Sequence, residues 1–374
     1  MRETPPPAAP AKGDEHRFPC DQCGGDLRFD PGGGRLVCDH CGAAEALDGT
    51  APATTPRELD FRSAVSGSLD AAEIEETRVM SCPNCGAQTE FDSDIHAAEC
   101  PFCATPVVTD TGTHRHIKPK GLLPFALEES TAHAAMTDWL GRLWFAPNGL
   151  KTYARKGRRM QGIYVPYWTF DADTTTRYRG QRGTHYYETR TVVRDGKSKQ
   201  VRVRKTRWRS VSGQVARFFD DVLVLASHSL PRRYTDALEP WDLSDLEPYR
   251  PDYLAGFRAE GYQVELEEAF GEAREKMDRV IRRDVKFDIG GDAQRIRDMD
   301  TDIGRLTFKH VLLPVWLAAY SYRGETYRFV VNGRTGRVQG ERPWSAIKIA
   351  VAVVLGLLVA GAVGYAVALG QGQI

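Results

Sequence analysis

The sequence predicts an α+β protein with antiparallel sheet, preceded by two small cysteine-based modules and followed by one helix that crosses a membrane. All eight cysteines lie before residue 104, and residues 349–369 carry no charge. Two alternating segments, near 183–194 and 199–211, flank the pair Asp195-Gly196. An Asp-Gly pair between alternating segments predicts a β-hairpin, and helical spacing elsewhere in the same region makes the fold mixed.

The cysteines form two sets with the same spacing, C-x2-C-x14-C-x2-C. Each cysteine of the first set recurs 62 residues later, and Phe29-Asp30 recurs as Phe91-Asp92 at the same offset. Two thiolates separated by two residues can face one ion, and zinc takes four such ligands in a tetrahedron. The sequence therefore predicts two zinc ions per chain, with the ligands Cys20, Cys23, Cys38 and Cys41 for one and Cys82, Cys85, Cys100 and Cys103 for the other.

The turns that carry the cysteines have their own signal. Gly24, Gly42 and Gly86 directly follow the second cysteine of a pair, where a glycine can take positive φ and turn backbone N–H groups toward sulfur. Ala104 stands in the fourth turn. Iron in a rubredoxin-like carrier and redox-active dithiols remain as alternatives to zinc.

Four cysteines per ion leave no open coordination position, so the sequence predicts no metal catalysis. For the same reason His40 and His96, which lie inside the sets, are interpreted as bystanders.

The uncharged stretch 349–369 is long enough, as a helix of about 30 Å, to cross a bilayer core. A buried core helix is the alternative. The positive-inside rule places the N-terminal bulk of a single-pass chain in the cytoplasm here. The basic residues just before the stretch are Arg334, Arg337, Arg342 and Lys348, and no Lys or Arg follows it.

The opening residues, Met-Arg-Glu-Thr-Pro-Pro-Pro, do not resemble a secretory signal, so we expect a reducing compartment and a C-terminal anchor. A small-residue stripe on the anchor offers a surface for self-association, although Gly and Ala are common in such helices. It consists of Gly356, Ala360, Gly364 and Ala368.

These observations divide the chain. The expected segments are a disordered start (1–15), the first zinc ribbon (16–45), a linker with a short acidic helix at Leu69–Arg78 (46–79), the second ribbon (80–108), the α+β domain (115–342) and the transmembrane helix (346–369).

Within the α+β domain, the periodicity of apolar residues predicts individual elements. They are helices near 128–145 and 265–283, strands at 162–170 and 222–226, and a hairpin of 311–322 with 325–331. Val165-Pro166-Tyr167-Trp168 resembles Leu313-Pro314-Val315-Trp316, which indicates two related strand units unless the similarity is due to chance.

Charge is balanced overall, with 50 Lys plus Arg against 50 Asp plus Glu, so any attraction to a polyanion is local. The segment 151–209 is strongly basic, and tyrosines are interleaved in its hairpin part, 177–209. Anionic lipid, nucleic acid and bare solvent remain as alternative surroundings for this hairpin. The ribbon segments themselves are not basic, which favours protein partners for them over DNA.

No sequence motif for catalysis is complete. Gly196-Lys197-Ser198 resembles the end of a phosphate-binding loop, but Thr191 stands where the loop needs its first glycine. Asp288-Ile289-Gly290-Gly291-Asp292 predicts a structural turn, with an ion site or a catalytic loop as alternatives. The sequence therefore predicts a protein that is not an enzyme.

Several phrases of the sequence resemble a bacterial group of double-ribbon proteins. They include LPFAL, RLWFAPNGLK, VPYWTFDA, LEPWDL, DIGGD, KHVLLPVWLAAY and VNGRTG, spread over about 16–370. Members of that group are often labelled primosomal protein N′ (replication factor Y) or superfamily II helicase, with a TFIIB-type zinc ribbon. The group is also similar to zinc-ribbon membrane proteins found beside phage-shock and flotillin-like membrane-stress proteins. That likeness implies a role in recruiting cytoplasmic partners to the membrane.

Overall fold

The computed structural model describes residues 18–47, 56–82, 86–90, 97–100, 102, 106–108, 111–147, 160–194, 197–322, 325–341 and 344–370. The fold is mixed α+β with antiparallel sheets and one apolar C-terminal helix, as the sequence predicts. The strands are β1 (Leu27–Asp30), β2 (Arg35–Cys38), β3 (Ala44–Ala46), β4 (Leu59–Asp60), β5 (Ile74–Ser81), β6 (Gln88–Glu90), β7 (Ala97–Glu99), β8 (Pro106–Val108), β9 (Thr111–Ile117), β10 (Gly121–Leu122), β11 (Gln161–Arg194), β12 (Lys197–Leu225), β13 (Glu247–Pro248), β14 (Arg258–Ala259), β15 (Ala293–Tyr322), β16 (Glu325–Asn332) and β17 (Val338–Gly340).

The helices are α1 (Phe61–Val65), α2 (Glu129–Arg142), α3 (Arg232–Thr235), α4 (Leu266–Ile289) and α5 (Ala346–Gly370). Short 3₁₀ turns lie at Ala71–Glu73, Asp236–Leu238, Leu243–Asp245 and Pro251–Leu254.

Three long strands, β12, β11 and β15, lie side by side in the main sheet. They contain 29, 34 and 30 residues, so the strands predicted at 162–170 and 183–194 belong to one continuous strand. A register shift between Phe170 and Ala172 lets β11 bend along its length. The predicted hairpin is confirmed: Arg194 pairs with Lys197 at its end.

One end of the hairpin projects beyond the rest of the sheet. The pairing of β11 with β15 ends at Gly183 and Ala293, while β11 and β12 continue as a two-stranded ribbon. We call residues 184–194 and 197–207 the arm. At about 3.4 Å per residue, the arm is roughly 37 Å long.

Helix α4 covers one face of the long strands. Its buried residues recur every three or four positions and continue past the predicted end at 283, because Val285 and Ile289 extend the same apolar face. The helix stops at Gly290 and Gly291, whose φ values are 65° and 78°. The segment Asp288–Asp292 is thus the turn that leads from α4 into β15.

The weak sequence repeat of the α+β domain is a structural duplication. Val165 pairs with Leu313, and Tyr164 and Pro166 pair with Pro314 and Leu312, so the two phrases lie antiparallel around a local pseudo-two-fold axis.

The matching tryptophans, Trp168 and Trp316, each donate a hydrogen bond to the backbone just before a helix. The indole N–H of Trp168 donates to the Val264 carbonyl and that of Trp316 to the Leu127 carbonyl, each at 2.9 Å. Each carbonyl lies one residue before the N-cap of a helix, α4 or α2.

The duplicated unit has the order short strand, helix, hairpin. It occurs as β10–α2–β11–β12 and again as β14–α4–β15–β16. Each short strand pairs in parallel with the long strand of the other unit, β10 with β15 and β14 with β11. The two units therefore interlock, and residues of both, such as Val165 and Leu313, pack in the same apolar cluster.

The expected acidic helix at Leu69–Arg78 is wrong. Residues 71–73 form a single 3₁₀ turn and β5 begins at Ile74, pairing with β9 from Ile74↔Ile117 onward. Pairing with β9 satisfies the backbone groups of this segment, and Thr77 and Val79 are β-branched residues that suit a strand. The linker also joins the main sheet, because Leu59 of β4 pairs with Phe308.

Candidate metal centre and its surroundings

The first cysteine module is a three-stranded sheet, β1–β2–β3. Cys38 is the last residue of β2, and Cys20 lies in the turn before β1. Cys20 and Cys38 are buried, while Cys23 and Cys41 are exposed at the outer end.

Two turns with matching hydrogen bonds present the four cysteines. The amide of Cys20 donates to the Gly25 carbonyl (2.7 Å), and the amide of Gly24 donates to the Cys20 carbonyl (2.8 Å). The same pair of bonds forms from Cys38 to Ala43 (2.8 Å) and from Gly42 to Cys38 (2.9 Å). Gly24 and Gly42 have φ of 72° and 75°, which confirms the predicted positive φ.

The sulfur positions fit a metal ion. The Sγ atoms of Cys20, Cys23, Cys38 and Cys41 all lie within 4.8 Å of one another. The Cys20–Cys41 and Cys23–Cys38 separations are 3.6 and 3.5 Å, far beyond a disulfide bond. A tetrahedron with zinc–sulfur bonds of 2.3 Å has sulfur atoms about 3.8 Å apart.

Backbone N–H groups also favour thiolate at this site. The Cys41 amide, aimed at the sulfur of Cys38, is the main cause that lowers the pKa of that thiol to about 7. Metal ligation requires deprotonated sulfur, so such amides assist binding.

The first module is fixed to the α+β domain. Phe29 is buried, its amide donates to the Ala255 carbonyl (3.0 Å), and its ring meets Tyr253 edge-on at 5.2 Å. Phe29 therefore packs in the same apolar cluster as the two buried cysteines, Cys20 and Cys38.

The second cysteine set is described only in part. Cys82 and Cys100 are buried, whereas Cys85 and Cys103, together with His96, Phe91 and Ala104, lie outside the described residues. The turn at Cys82 has the same hydrogen bonds as the first two: Cys82 to Ala87 and Gly86 to Cys82, both 2.8 Å. Gly86 has φ of 73°. The Gln263 side chain donates to the Gly86 carbonyl (2.9 Å) and links this turn to the main domain.

Helix α5 is long and apolar enough over Ala346–Val367 to cross a membrane, and none of that stretch is buried against the protein. Its base rests on the loop after α2. The ammonium of Lys348 donates to the carbonyls of Trp144 (3.1 Å) and Ala146 (2.8 Å), and the rings of Trp344 and Phe145 lie 6.2 Å apart. Trp144 is 79% exposed at this junction.

The small-residue stripe lies on α5, with Gly356, Ala360 and Gly364 exposed; its pairing stays a prediction.

The arm holds its basic residues over aromatic rings. The guanidinium of Arg202 lies 5.0 Å from the Tyr187 ring centre and that of Arg207 lies 5.3 Å from Tyr186. Glu188 forms an ion pair with Lys205. The surface is therefore positively charged, and its ligand stays a prediction.

The Asp288–Asp292 segment is occupied by structural contacts. Asp288 accepts from the Tyr178 hydroxyl, and the Asp292 carboxylate accepts from the His185 amide at 2.7 Å. The amide of Asp292 donates to the Gly183 carbonyl (2.9 Å). These bonds fasten the turn to the base of the arm, which confirms the interpretation as a turn.

The structure also contains a partly buried ionic cluster around Lys309 that the sequence did not predict. The ammonium of Lys309 lies 2.8 Å from Asp221, 3.3 Å from Glu58 and 3.7 Å from Asp171. Burial, together with a hydrogen bond to Glu58, raises the pKa of Asp171 to about 7. The alternating apolar pattern around Asp171 and Lys309 predicts strands but gives no signal that these charges meet.

Comparison with known proteins yields one informative relative. A Bacillus subtilis (strain 168) protein, "Uncharacterized protein YdjG", is 27% identical to this chain over 335 residues, which cover 89% of this chain and 92% of the relative. No protein-family model matches the chain. No solved structure matches it either.

Proposed function

We propose that this protein is a non-enzymatic adaptor that is anchored in a membrane by α5 and docks cytoplasmic proteins through its cysteine modules. The observation that carries the proposal is one chain with a cluster of four cysteine sulfur atoms that could hold a metal ion at one end and an exposed, apolar helix at the other. The resemblance to double-ribbon membrane proteins supports the same role.

Two zinc ions per chain are part of this proposal. The first site has four sulfur atoms within 4.8 Å of one another, which supports one ion. The second is supported by the 62-residue repeat and by the identical hydrogen bonds around Cys82. Zinc supplies most of the folding free energy of so small a module, and the closed ligand set serves structure rather than catalysis.

The expected orientation rests on the base of α5. Tryptophan side chains favour the membrane–water interface, and lysine directs its ammonium out of the hydrocarbon. Trp144, Trp344 and Lys348 meet at this base, on the side of the folded bulk. By the positive-inside rule, Lys348 and the arginines that precede α5 support a cytoplasmic location of the domains.

The anchor is tested by fractionation. Deleting residues 346–374 should release the protein from membranes, whereas deleting only 371–374 should leave it there. A 346–374 deletion that still pellets with membranes and resists carbonate extraction contradicts the anchor.

Docking is tested by affinity purification of the full chain from membranes, beside a Cys23→Ser/Cys41→Ser variant. We expect protein partners with the wild type that are lost with the variant, while both chains stay in the membrane. Recovery of the same proteins with both argues against docking by the first module.

A membrane-tethered nucleic-acid-binding protein is the second candidate, favoured only by the arm with its paired arginines and tyrosines. Phosphate contacts make such binding fall steeply with salt. Full-length protein in detergent should then bind DNA at low salt and lose it when Arg202, Arg204 and Arg207 become Gln. No binding at low salt removes this candidate.

A further inference from the structure

The loop that follows helix α2, residues 143–147, exposes aromatic side chains. Trp144 is 79% and Phe145 37% exposed, whereas Ala146 is buried. Leu143 and Ala146 both pack in the apolar cluster beneath the loop. The loop is thus fixed to the α+β domain, and its two aromatic rings face outward. Exposed apolar patches of this kind mark contact sites for a protein or a membrane.

The same patch continues onto the start of α5. Trp344 and Ile347 are 57% and 78% exposed, and the rings of Trp344 and Phe145 lie 6.2 Å apart. From Ala346 to Val367, α5 is apolar and none of it is buried against the protein. The loop is therefore continuous with the helix that is long and apolar enough to cross a membrane.

Groups at the start of α5 satisfy the backbone of the loop. The Ser345 amide donates to the Phe145 carbonyl (2.8 Å). The Lys348 ammonium donates to the carbonyls of Trp144 (3.1 Å) and Ala146 (2.8 Å). Irregular backbone next to lipid must have its polar groups satisfied by the protein, because hydrocarbon offers no hydrogen bonds. The loop meets that condition at these three consecutive carbonyls.

The level of the loop along the membrane normal follows from Lys348. This lysine is the last charged residue before the uncharged stretch 349–369, so its ammonium marks the edge of the hydrocarbon. Since that ammonium binds two carbonyls of the loop, the loop lies at the same edge. Ser345, which also binds the loop, lies only about 4.5 Å away along the helix axis. Tryptophan side chains favour this level of a bilayer.

The connection between the domain and α5 is short. Strand β17 ends at Gly340 and α5 begins at Ala346, so five residues lie between them. Fully extended, five residues span at most about 18 Å. Together with the hydrogen bonds of the loop, this connection keeps the domain against the membrane once α5 crosses it.

We propose that residues 143–147 form a second membrane contact, in which Trp144 and Phe145 enter the interfacial layer of the leaflet where α5 begins. The inference rests on the proposed anchoring by α5 and goes beyond it. An anchor alone would leave the domain on a tether, whereas this contact docks the folded domain on the bilayer surface. The partner is the lipid interface itself, recognised by aromatic side chains rather than by charge.

The same contact sets the height of the first cysteine module. A Cβ placed on Gly32 of that module would lie 2.9 Å from the Glu128 carboxylate, at the N-cap of α2. The loop follows the other end of α2, and a helix of 14 residues is about 21 Å long. This part of the module is thus held about 20 Å from the lipid contact, so a protein that docks on the module must come close to the membrane surface.

Fluorine NMR of the full chain tests the contact. The chain is labelled with fluorinated tryptophan and placed in phosphatidylcholine nanodiscs, and the Trp144 signal is assigned by its absence in Trp144→Phe. A lipid that carries a nitroxide at its headgroup reports nearness to the membrane interface, and a water-soluble gadolinium chelate reports exposure to solvent. We expect the nitroxide lipid to broaden the Trp144 signal more than the chelate does.

An indole on another exposed aromatic position is the matched control. Phe287→Trp places it near the C-terminal end of α4, two residues before Ile289, whose carbonyl accepts from Arg182 at the base of the arm. This position is remote from the start of α5. The chelate should therefore broaden the control signal more than the nitroxide lipid does.

Two results overturn the proposal while leaving the anchor intact, because in both the chain has entered the nanodiscs. In the first, the chelate broadens the Trp144 signal more than the nitroxide lipid does, which places the indole in water. In the second, neither probe broadens it, which places the indole under protein. A chain that does not enter the nanodiscs contradicts the anchor and this contact together.

Discussion

Glycines at three cysteine turns decide how sulfur is presented. Gly24, Gly42 and Gly86 share φ values between 72° and 75°, and the same two backbone hydrogen bonds surround each turn. Nothing lies within 4 Å of a Cβ added at Gly24, so the need for glycine at that position comes from its backbone conformation alone.

Gly24→Ala should therefore weaken the first metal centre without a steric clash. A left-handed conformation costs an alanine about 1–2 kcal/mol, equivalent to a roughly 5- to 30-fold loss of zinc affinity. Competition with a chromogenic chelator measures it. Gly141→Ala, in helix α2 with open space around it, is the matched control and should leave the affinity unchanged.

At Asp171, burial decides the protonation state. Because its pKa is raised to about 7, the folded state holds the proton more tightly than the unfolded chain does. The stability from the protonated acid is present below about pH 4 and is lost as pH rises through about 7. The pKa of Glu58 is lowered to about 2 through its hydrogen bond to Asp171. The contribution of Glu58 to the unfolding free energy therefore changes at a lower pH than that of Asp171.

Asp171→Asn keeps an oxygen that can accept the hydrogen bond from the Asp221 amide, but it removes this titration. Between pH 5 and pH 8, the unfolding free energy of the wild type should fall relative to that of Asp171→Asn. Urea unfolding at several pH values measures the difference. If the wild type does not lose stability relative to Asp171→Asn over this pH range, Asp171 is ionised throughout.

At the scale of elements, α4 is held by one apolar face. Ile281 is buried in that face, whereas Phe287 on the same helix is 89% exposed. Ile281→Ala should cost about 2–5 kcal/mol of unfolding free energy, because the cavity it leaves cannot fully close.

Phe287→Ala is the control for the same helix. It should change the unfolding free energy by less than about 0.5 kcal/mol, since it removes little buried surface. Equal costs for the two variants would mean that Phe287 is covered in solution, for instance by a partner.

At the scale of the whole molecule, the proposed metal ions and the main sheet would provide separate sources of stability. The first module depends on four sulfur atoms, while the long strands and α4 have their own core around Trp168, Phe170 and Phe308. Removing zinc with a strong chelator should expose thiols and unfold the modules but leave that core intact.

Hydrogen exchange with and without chelator checks this expectation. Amides of β1 and β2 should lose protection, and amides of α4 and β11 should keep it. Loss of protection throughout the chain would show that the modules and the main sheet fold as one unit.

Local sequence was sufficient wherever a short-range rule acts. The ligand spacing around Cys20 and Cys38, the turn after Asp195, the apolar face of α4 and the uncharged run of α5 all follow from residues a few positions apart. The turn at Gly290-Gly291 belongs to the same class. Such features depend on backbone geometry or on one helical or strand period.

Features that depend on long-range pairing appear only in the tertiary structure. The acidic stretch after Leu69 has a helix-like composition, but pairing with β9 makes it a strand. Lys309 and Glu58 are 251 positions apart, and only the sheet brings their charges together.

The sequence by itself determined the four-cysteine cluster of the first module, the apolar C-terminal helix and the α+β class, because each depends on composition or spacing within one segment. Only the tertiary structure decided that the two tryptophan phrases face each other around one axis and that β15 stops short of the arm. Strand register joins residues more than a hundred positions apart, and no local pattern encodes where a long strand loses its neighbour.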